Sequence, residues 1–492
     1  MRRCIFFIIF GVCVVTGLNA QFYSDSARST AMNGAHSAVT CDGFEAMLFN
    51  PAGLAASQSK FGLHILGTLG LNLYSNCFNM TTVVEVLEQF QGGDNSIEHF
   101  VSDMQAQSFF SEFQTGLAMN YNLFKFFFHT KRVSLGFSDT VKMRARMFIG
   151  DDLFSTVFNE INLNKNQSLG TIDLDLMVYN DFCATFSMYL WMLERKTPFK
   201  GVYIGGGIHW YTPLVHASAE FSGKLGKGSL GEKIDVSQVD ANLYTYNLEL
   251  DGKVSLASPA ASSWDFLGIP QLGNLSNGEG VPLGFGADLG VLIDFNNWVR
   301  AGLSVTDLGF MMSPSTEIEV HKKINLDLQK IGDIGSEFSG IADDVMNGGK
   351  GGYEIILAPA TARVGFTFIP LLSRYMDVEC PLTFTVTDFD LIPSGLLPTF
   401  GVSTGLDLLI KAGFFQLPLW TSVGYFTSSG FSWGVGTGLH LGVWHLDLGV
   451  RGLESLFASP SNSGWGRDIA FTMQMSFQMK KKKKDKSGKN IY

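Results

Sequence analysis

The sequence predicts an all-β fold: a transmembrane antiparallel β-barrel of about 14 strands with an N-terminal hatch. Three observations carry this reading. Apolar and polar residues alternate through segments of a dozen or more positions, as in Val281, Leu283, Phe285, Ala287, Leu289, Val291, Ile293 and Phe295 against Gly284, Gly286, Asp288 and Gly290. The 492 residues include 55 glycines and 42 phenylalanines but only 16% charged residues, a composition of strands and tight turns. Ahead of the first strand lies a segment of small residues without alternation, Ala27 to Ala55, closing on the turn cluster Asn50-Pro51-Ala52-Gly53.

Taken in order, residues 1–20 read as a signal peptide: Arg2 and Arg3, an apolar core from Ile5 to Val15, and a cleavage site after Ala20. The alternative, lipidation at Cys13, needs a small-residue box that Phe10-Gly11-Val12 does not supply. The hatch spans 21–60. A barrel follows over 61–479, and residues 480–492 form a basic tail of seven lysines and one aspartate. That tail either touches anionic headgroups or is simply solvated.

Within the barrel sixteen candidate strands run from 62–73 to 468–479. They include separate strands at 298–308 and 316–329 and a single one at 354–368. Globular strands average five or six residues, whereas membrane-crossing strands need about 9–11 that alternate apolar outward and polar inward. Assigning one or two candidates to loops or hatch leaves fourteen, an even number that places both termini on the periplasmic side. Helical breaks are expected near 81–90, 97–107, 151–159 and 336–346. Tyr244, Tyr246, Trp210, Trp298, Trp420, Trp433 and Trp444 fall at or near strand ends, where aromatic girdles belong.

The net charge of −10 conceals an acidic body behind the basic tail, which argues against a nucleic-acid-binding core. Cys41, Cys77, Cys183 and Cys380 remain after signal removal, without zinc or redox spacing. Either Cys41 pairs with Cys77 or the thiols are free. Gly401-Val402-Ser403-Thr404-Gly405 matches the hydrolase elbow, but alternation continues straight through it and leaves Ser403 on a strand. Gly434, Gly436 and Gly438 lack the helix a phosphate loop needs and read as slots on the lumen face. The histidines show no metal-ligand spacing; His209, His440 and His445 read as single lumen residues. Lys142, Arg144 and Arg146 form an inward basic row that either attracts the carboxylate of an amphiphile or pairs with Asp173 and Asp175. No catalytic constellation emerges, and no cofactor or metal is expected.

The run Ala31-Met32-Asn33-Gly34-Ala35-His36-Ser37-Ala38, then Asp42, then Asn50-Pro51-Ala52-Gly53-Leu54 resembles the hatch signature of FadL-type fatty-acid channels and their PorV-like relatives. Gly286-Ala287-Asp288-Leu289-Gly290 and Ser304-Val305-Thr306-Asp307-Leu308-Gly309 are similar to a mid-barrel strand pair of the same group. The tight likeness covers about thirty residues, and Asn33 stands where relatives often carry glycine. The resemblance implies a fourteen-stranded outer-membrane barrel for passive uptake of long-chain fatty acids or similar hydrophobic molecules. Asn50, Pro51, Ala52 and Gly53 would be the gating point, and outer-membrane lipids and the ligand the partners. The alternative is a PorV-like scaffold that works with an exported-protein partner; the bland reading is a loop that only seals the lumen and never moves. A continuous apolar path through the lumen would favour transport, and a polar, filled lumen the scaffold.

Overall fold

The computed structural model describes residues 25–75, 113–149, 167–194, 198–227, 245–257, 283–327, 350–387, 399–427, 430–456, 468–480, 483–484 and 490–491. The signal peptide, Cys77, Tyr244, the four expected helical breaks and most of the basic tail lie outside these residues.

Among the described residues sixteen strands form one antiparallel sheet that closes on itself. They are β1 (Ser59–Ser75), β2 (Phe113–His129), β3 (Val133–Ile149), β4 (Gln167–Tyr189), β5 (Gly201–Lys227), β6 (Thr245–Ala257), β7 (Leu283–Asp294) and β8 (Val299–Asp327). They continue as β9 (Lys350–Leu357), β10 (Thr361–Leu372), β11 (Met376–Thr387), β12 (Thr399–Ala412), β13 (Phe415–Phe426), β14 (Gly430–Leu441), β15 (Trp444–Arg451) and β16 (Asp468–Lys480). Closure comes from β1 pairing with β16, from Phe61 opposite Met479 to Tyr74 opposite Asp468.

Sixteen strands make fourteen staves. β6 and β7 lie end to end between β5 and β8, because β5 pairs with β6 through 216–227 and with β7 through 201–211. β9 and β10 likewise both pair with β8. Two expected boundaries move accordingly. β8 runs unbroken through the predicted gap at 308–316, carrying Pro314 within it opposite Tyr353. The predicted single strand 354–368 instead breaks at Ala358-Pro359-Ala360, where proline offers no N–H to the ladder.

The alternation settles which face is which. Leu289, Leu303, Phe384, Leu406, Val423, Phe471 and Met475 are exposed on the outside, while Asp288, Ser304, Thr383, Ser403, Ser422, Thr472 and Ser476 are buried within. An apolar exterior over a polar interior, with every wall strand paired, is the arrangement a bilayer demands. Ser403 sits in mid-strand with no helix after it, as its alternation predicts. The aromatic expectation is corrected at two positions. Trp420 faces inward, 6% exposed, and Trp210 lies well inside β5; Trp298 occupies the β7–β8 turn and Trp444 opens β15.

A belt of irregular pairing crosses the wall. Register shifts occur at Asn122/Phe124 in β2, at Val178/Tyr179 in β4 and at Ala287/Leu289 in β7. At this belt Asp307 of β8 adopts φ 59, and its amide donates to Asp288 Oδ1 at 2.8 Å. The two aspartates of the mid-barrel signatures therefore meet across a bulge, which accounts for acids at both positions.

Candidate functional site

Residues 25–58 fold into a compact plug inside the barrel. Helix α1 (Ala27–Ala31) is capped by Ser26, whose hydroxyl accepts from Ser29 N, and α2 (Gly43–Phe49) by Asp42, which accepts from the amides of Phe44 and Glu45. Between them the chain reverses at Asn33 (φ 49) and Gly34 (φ 71) and makes a single 3-10 turn at Ser37–Val39. Asn33 thus occupies the left-handed region that glycine takes freely and asparagine tolerates best among the others, so its departure from the family pattern preserves the turn. The four-residue α3 (Gly53–Ala56) leads into β1.

The plug touches the wall around the circuit. Thr30 meets Thr472 of β16 at 2.6 Å, Asn33 Nδ2 donates to Ser422 of β13, and Thr383 of β11 donates to Ala35 O. Asn120 of β2 donates to Asp25, and Ser187 of β4 donates to Ala52 O. Trp420 closes an apolar cluster with Ala31, Met32 and Ala35.

The segment Asn50-Pro51-Ala52 is the tightest junction. Asn50 Nδ2 donates to Ala38 O at 2.6 Å and to Val291 O of β7 at 3.2 Å, while its Oδ1 accepts from Ala52 N at 3.1 Å. One side chain therefore closes its own turn, ties it to the first half of the plug and fixes both to the wall. Opposite lie Gly205 of β5 and Gly290 of β7, paired across the sheet. A Cβ on Gly205 would overlap the backbone of Pro51 and Ala52, and one on Gly290 would overlap Asn50 Oδ1. The two glycines make a cradle for this turn. Gly53 has no left-handed backbone; it opens α3 because a Cβ there would strike Thr40 O. Its part in the turn is close approach, not an unusual dihedral.

Glu45 is the hub of the plug. Its carboxylate, 3% exposed, accepts from Ser26, Arg28, His36 and Thr40 at 2.7–3.2 Å. Burial alone would raise its pKa, but the charges of His36 and Arg28 and the hydrogen bonds from His36 and Ser26 hold the group below the usual carboxylate range. Arg28 then reaches the wall, where it pairs with Asp407 of β12 and lies 3.9 Å from Glu379 of β11. Burial opposes its charge, and Asp407, Glu45 and Glu379 outweigh that and raise its pKa. Among the described residues Cys41 makes no disulfide, and burial pushes its thiol up to about 12.

A cavity of about 60 Å³ remains between the plug and β3, β4, β5, β8, β10 and β11. Met47, Leu48 and Phe49 line it from the plug together with the polar Asp25, Ser29, Asn33 and Ser37, and Lys142, Asp181, His209, Asp307 and Arg363 from the wall. That volume holds a few waters and no acyl chain. The basic row is split among acids: Lys142 Nζ lies 2.8 Å from Asp181 and 3.2 Å from Asp307, Arg146 lies 3.4 Å from Asp173, and Asp175 sits beside Arg144 and His216. Arg363 differs. Among the described residues it makes no ion pair; it donates to Thr306 at 2.8 Å and lies 5.3 Å from the centre of the Phe49 ring. Sequence reasoning missed Arg28, Glu45, Arg363 and the cradle glycines. Only Glu45 carried a local signal, three residues after the Asp42 cap.

The sequence model of one family, described as a family of unknown function (DUF5723), matches residues 51–347. No curated protein matches the sequence. Among solved structures, a Pseudomonas aeruginosa FadL homologue is 9% identical with a TM-score of 0.45, over 94% of this chain and 99% of its own. The Pseudomonas putida toluene transporter TodX is 11% identical with a TM-score of 0.44, over 93% and 99%. The Ralstonia pickettii toluene transporter TbuX is 11% identical with a TM-score of 0.40, over 92% and 98%.

Proposed function

We propose that this chain, which belongs to the DUF5723 family of unknown function, is an outer-membrane channel for passive entry of amphiphiles with an anionic head, long-chain fatty acids being the type. The observation that carries the reading is Arg363, which among the described residues makes no ion pair, at a cavity that Met47, Leu48 and Phe49 line from the plug beside the polar Asp25, Ser29, Asn33 and Ser37. An arriving carboxylate would take the guanidinium fork, and its acyl chain would compete for the surface that Phe49 covers. The plug would then shift about Asn50-Pro51-Ala52-Gly53, with Lys142, Arg144 and Arg146 remaining with their wall acids. In this reading residues 1–20 are removed on export and 21–60 form the hatch. The tight turns at 130–132, 295–298, 373–375, 413–414 and 442–443 face the periplasm together with both termini.

The experiment is saturable binding of a labelled long-chain fatty acid to the purified barrel in detergent. Arg363→Met should weaken it about 10–100-fold, the worth of one charge-assisted hydrogen bond at roughly 1.5–3 kcal/mol. Absence of saturable binding in both detergent and vesicles refutes the channel. A second reading, a plugged scaffold for an exported partner, is favoured by the filled polar lumen, in which Asn120, Lys125, Asp181, His209, Gln474 and Gln478 are buried. It predicts co-purification of an exported protein with a chain that binds no fatty acid.

A further inference from the structure

At the belt where β4, β5 and β7 lose register, three side chains that are far apart in sequence converge. Cys183 of β4, His209 of β5 and Asp288 of β7 are 2%, 4% and 2% exposed. Their sulfur, nitrogen and carboxylate ligand atoms lie within 4.8 Å of one another. We propose that these three residues bind one borderline divalent cation of the zinc type in the barrel wall.

The argument begins with His209. Its Nδ1 lies 2.7 Å from Asp181 Oδ1, and Asp181 is itself held by Lys142 Nζ at 2.8 Å. A carboxylate that fixes the Nδ1 proton leaves Nε2 as the bare lone pair of the neutral ring, the arrangement by which metal-binding histidines are oriented. Nε2 points into the cluster, 2.8 Å from Asp288 Oδ2, yet makes no hydrogen bond of acceptable geometry there. A lone pair facing a carboxylate oxygen at that distance is repulsive unless something positive sits between them. Two occupants satisfy that condition: a proton on Nε2, or a cation.

The thiol decides between them in favour of the cation. An imidazolium between two aspartates needs no sulfur, whereas Cys183 adds a soft donor within 4.8 Å of the His209 and Asp288 ligand atoms. Imidazole, thiolate and carboxylate together are a zinc donor set. Bonds of about 2.0–2.3 Å at tetrahedral angles put ligand atoms roughly 3.3–3.8 Å apart, so movements of about an ångström close the triangle. Asp288 is held for the purpose: its Oδ1 accepts from the bulged Asp307 amide, leaving Oδ2 to face His209. Cys183 and His209 also line the cavity beside the plug, which provides an entry path and water for the remaining coordination. Binding displaces the thiol proton to solvent, so affinity rises with pH. The ion would cross-tie three strands where the ladder is interrupted.

The test uses the folded full-length barrel in detergent, stripped with chelator and then titrated with Zn2+ or Co2+. Expected are about one equivalent by elemental analysis and a near-ultraviolet thiolate-to-cobalt charge-transfer band that Cys183→Ser and His209→Gln abolish. Asp181→Asn, which keeps all three ligands, should lower affinity on the order of 10–100-fold. In the unmutated protein, zinc should slow alkylation of the Cys183 peptide but not of the Cys380 peptide, a readout that survives if the variants fail to fold. Less than about 0.1 equivalent bound by folded protein, cobalt bound without the charge-transfer band, or equal alkylation with and without zinc would each overturn the proposal and leave a proton as the occupant.

Discussion

Replacing Asn50 by alanine should undock the plug while leaving the wall intact. The side chain makes three contacts, Nδ2 to Ala38 O, Nδ2 to Val291 O and Ala52 N to Oδ1, the first and last of them buried. Alanine strands at least the Ala38 carbonyl and the Ala52 amide, in a place where Asn50 and Ala52 are 0% exposed and water does not substitute. Each orphaned buried group costs about 1–3 kcal/mol, so docking should weaken by roughly 2–6 kcal/mol. The lower bound corresponds to a shift of about 30-fold in the docking equilibrium. Hydrogen exchange followed by peptide mass spectrometry on the detergent-solubilised barrel reads this directly. Peptides within 25–58 should exchange at least about 30-fold faster, and peptides of β11 to β16 should keep their rates. A plug-specific change below about threefold, in a variant that retains the folded barrel's gel migration, would refute the claim that this amide holds the plug.

Gly290→Ala attacks the same junction from the wall: its Cβ would meet Asn50 Oδ1 and Pro51, so plug exchange should accelerate as in Asn50→Ala. Glu45 supplies a pH dependence with a definite sign. Because the docked plug holds this carboxyl below its ordinary value of 4.5, its contribution is complete above about pH 4.5 and is lost as pH falls toward the docked-state value. Bilayer conductance should therefore rise in acid, and Glu45→Gln should raise it at neutral pH and flatten the profile. Cys41, with its thiol near 12, should resist alkylation at pH 8 in the closed barrel and react at least tenfold faster in Asn50→Ala. Pro51→Ala frees the turn's one fixed dihedral and should alter fatty-acid uptake in vesicles while leaving the barrel's melting unchanged.

What the sequence made legible follows from range. Strand alternation is a period-two signal carried within each segment, so Leu289 and Asp288 could be assigned to opposite faces directly. The plug was legible because a run of small residues and an Asn-Pro turn break that period. The joints between elements were not. Gly205 and Gly290 looked like two more strand glycines until pairing set them side by side under Pro51. Trp420 read as a girdle residue because nothing local reports that its inward face meets Ala31 and Met32 across nearly four hundred positions. Cys183, His209 and Asp288 have no motif spacing for the same reason: they are neighbours across strands, not along them.

The plug runs directly into β1 at Ser59, and β1 is the strand that meets β16 to shut the circuit. This connectivity dictates an order of assembly. The plug's partners, from Asn120 on β2 to Thr472 on β16, come together only when the first and last strands have found each other. The segment synthesised first among the described residues is therefore the last to acquire its full set of contacts. Its tether sits at the closing seam, and a machine that inserts this barrel must hold that seam open or admit the plug before the final ladder zips.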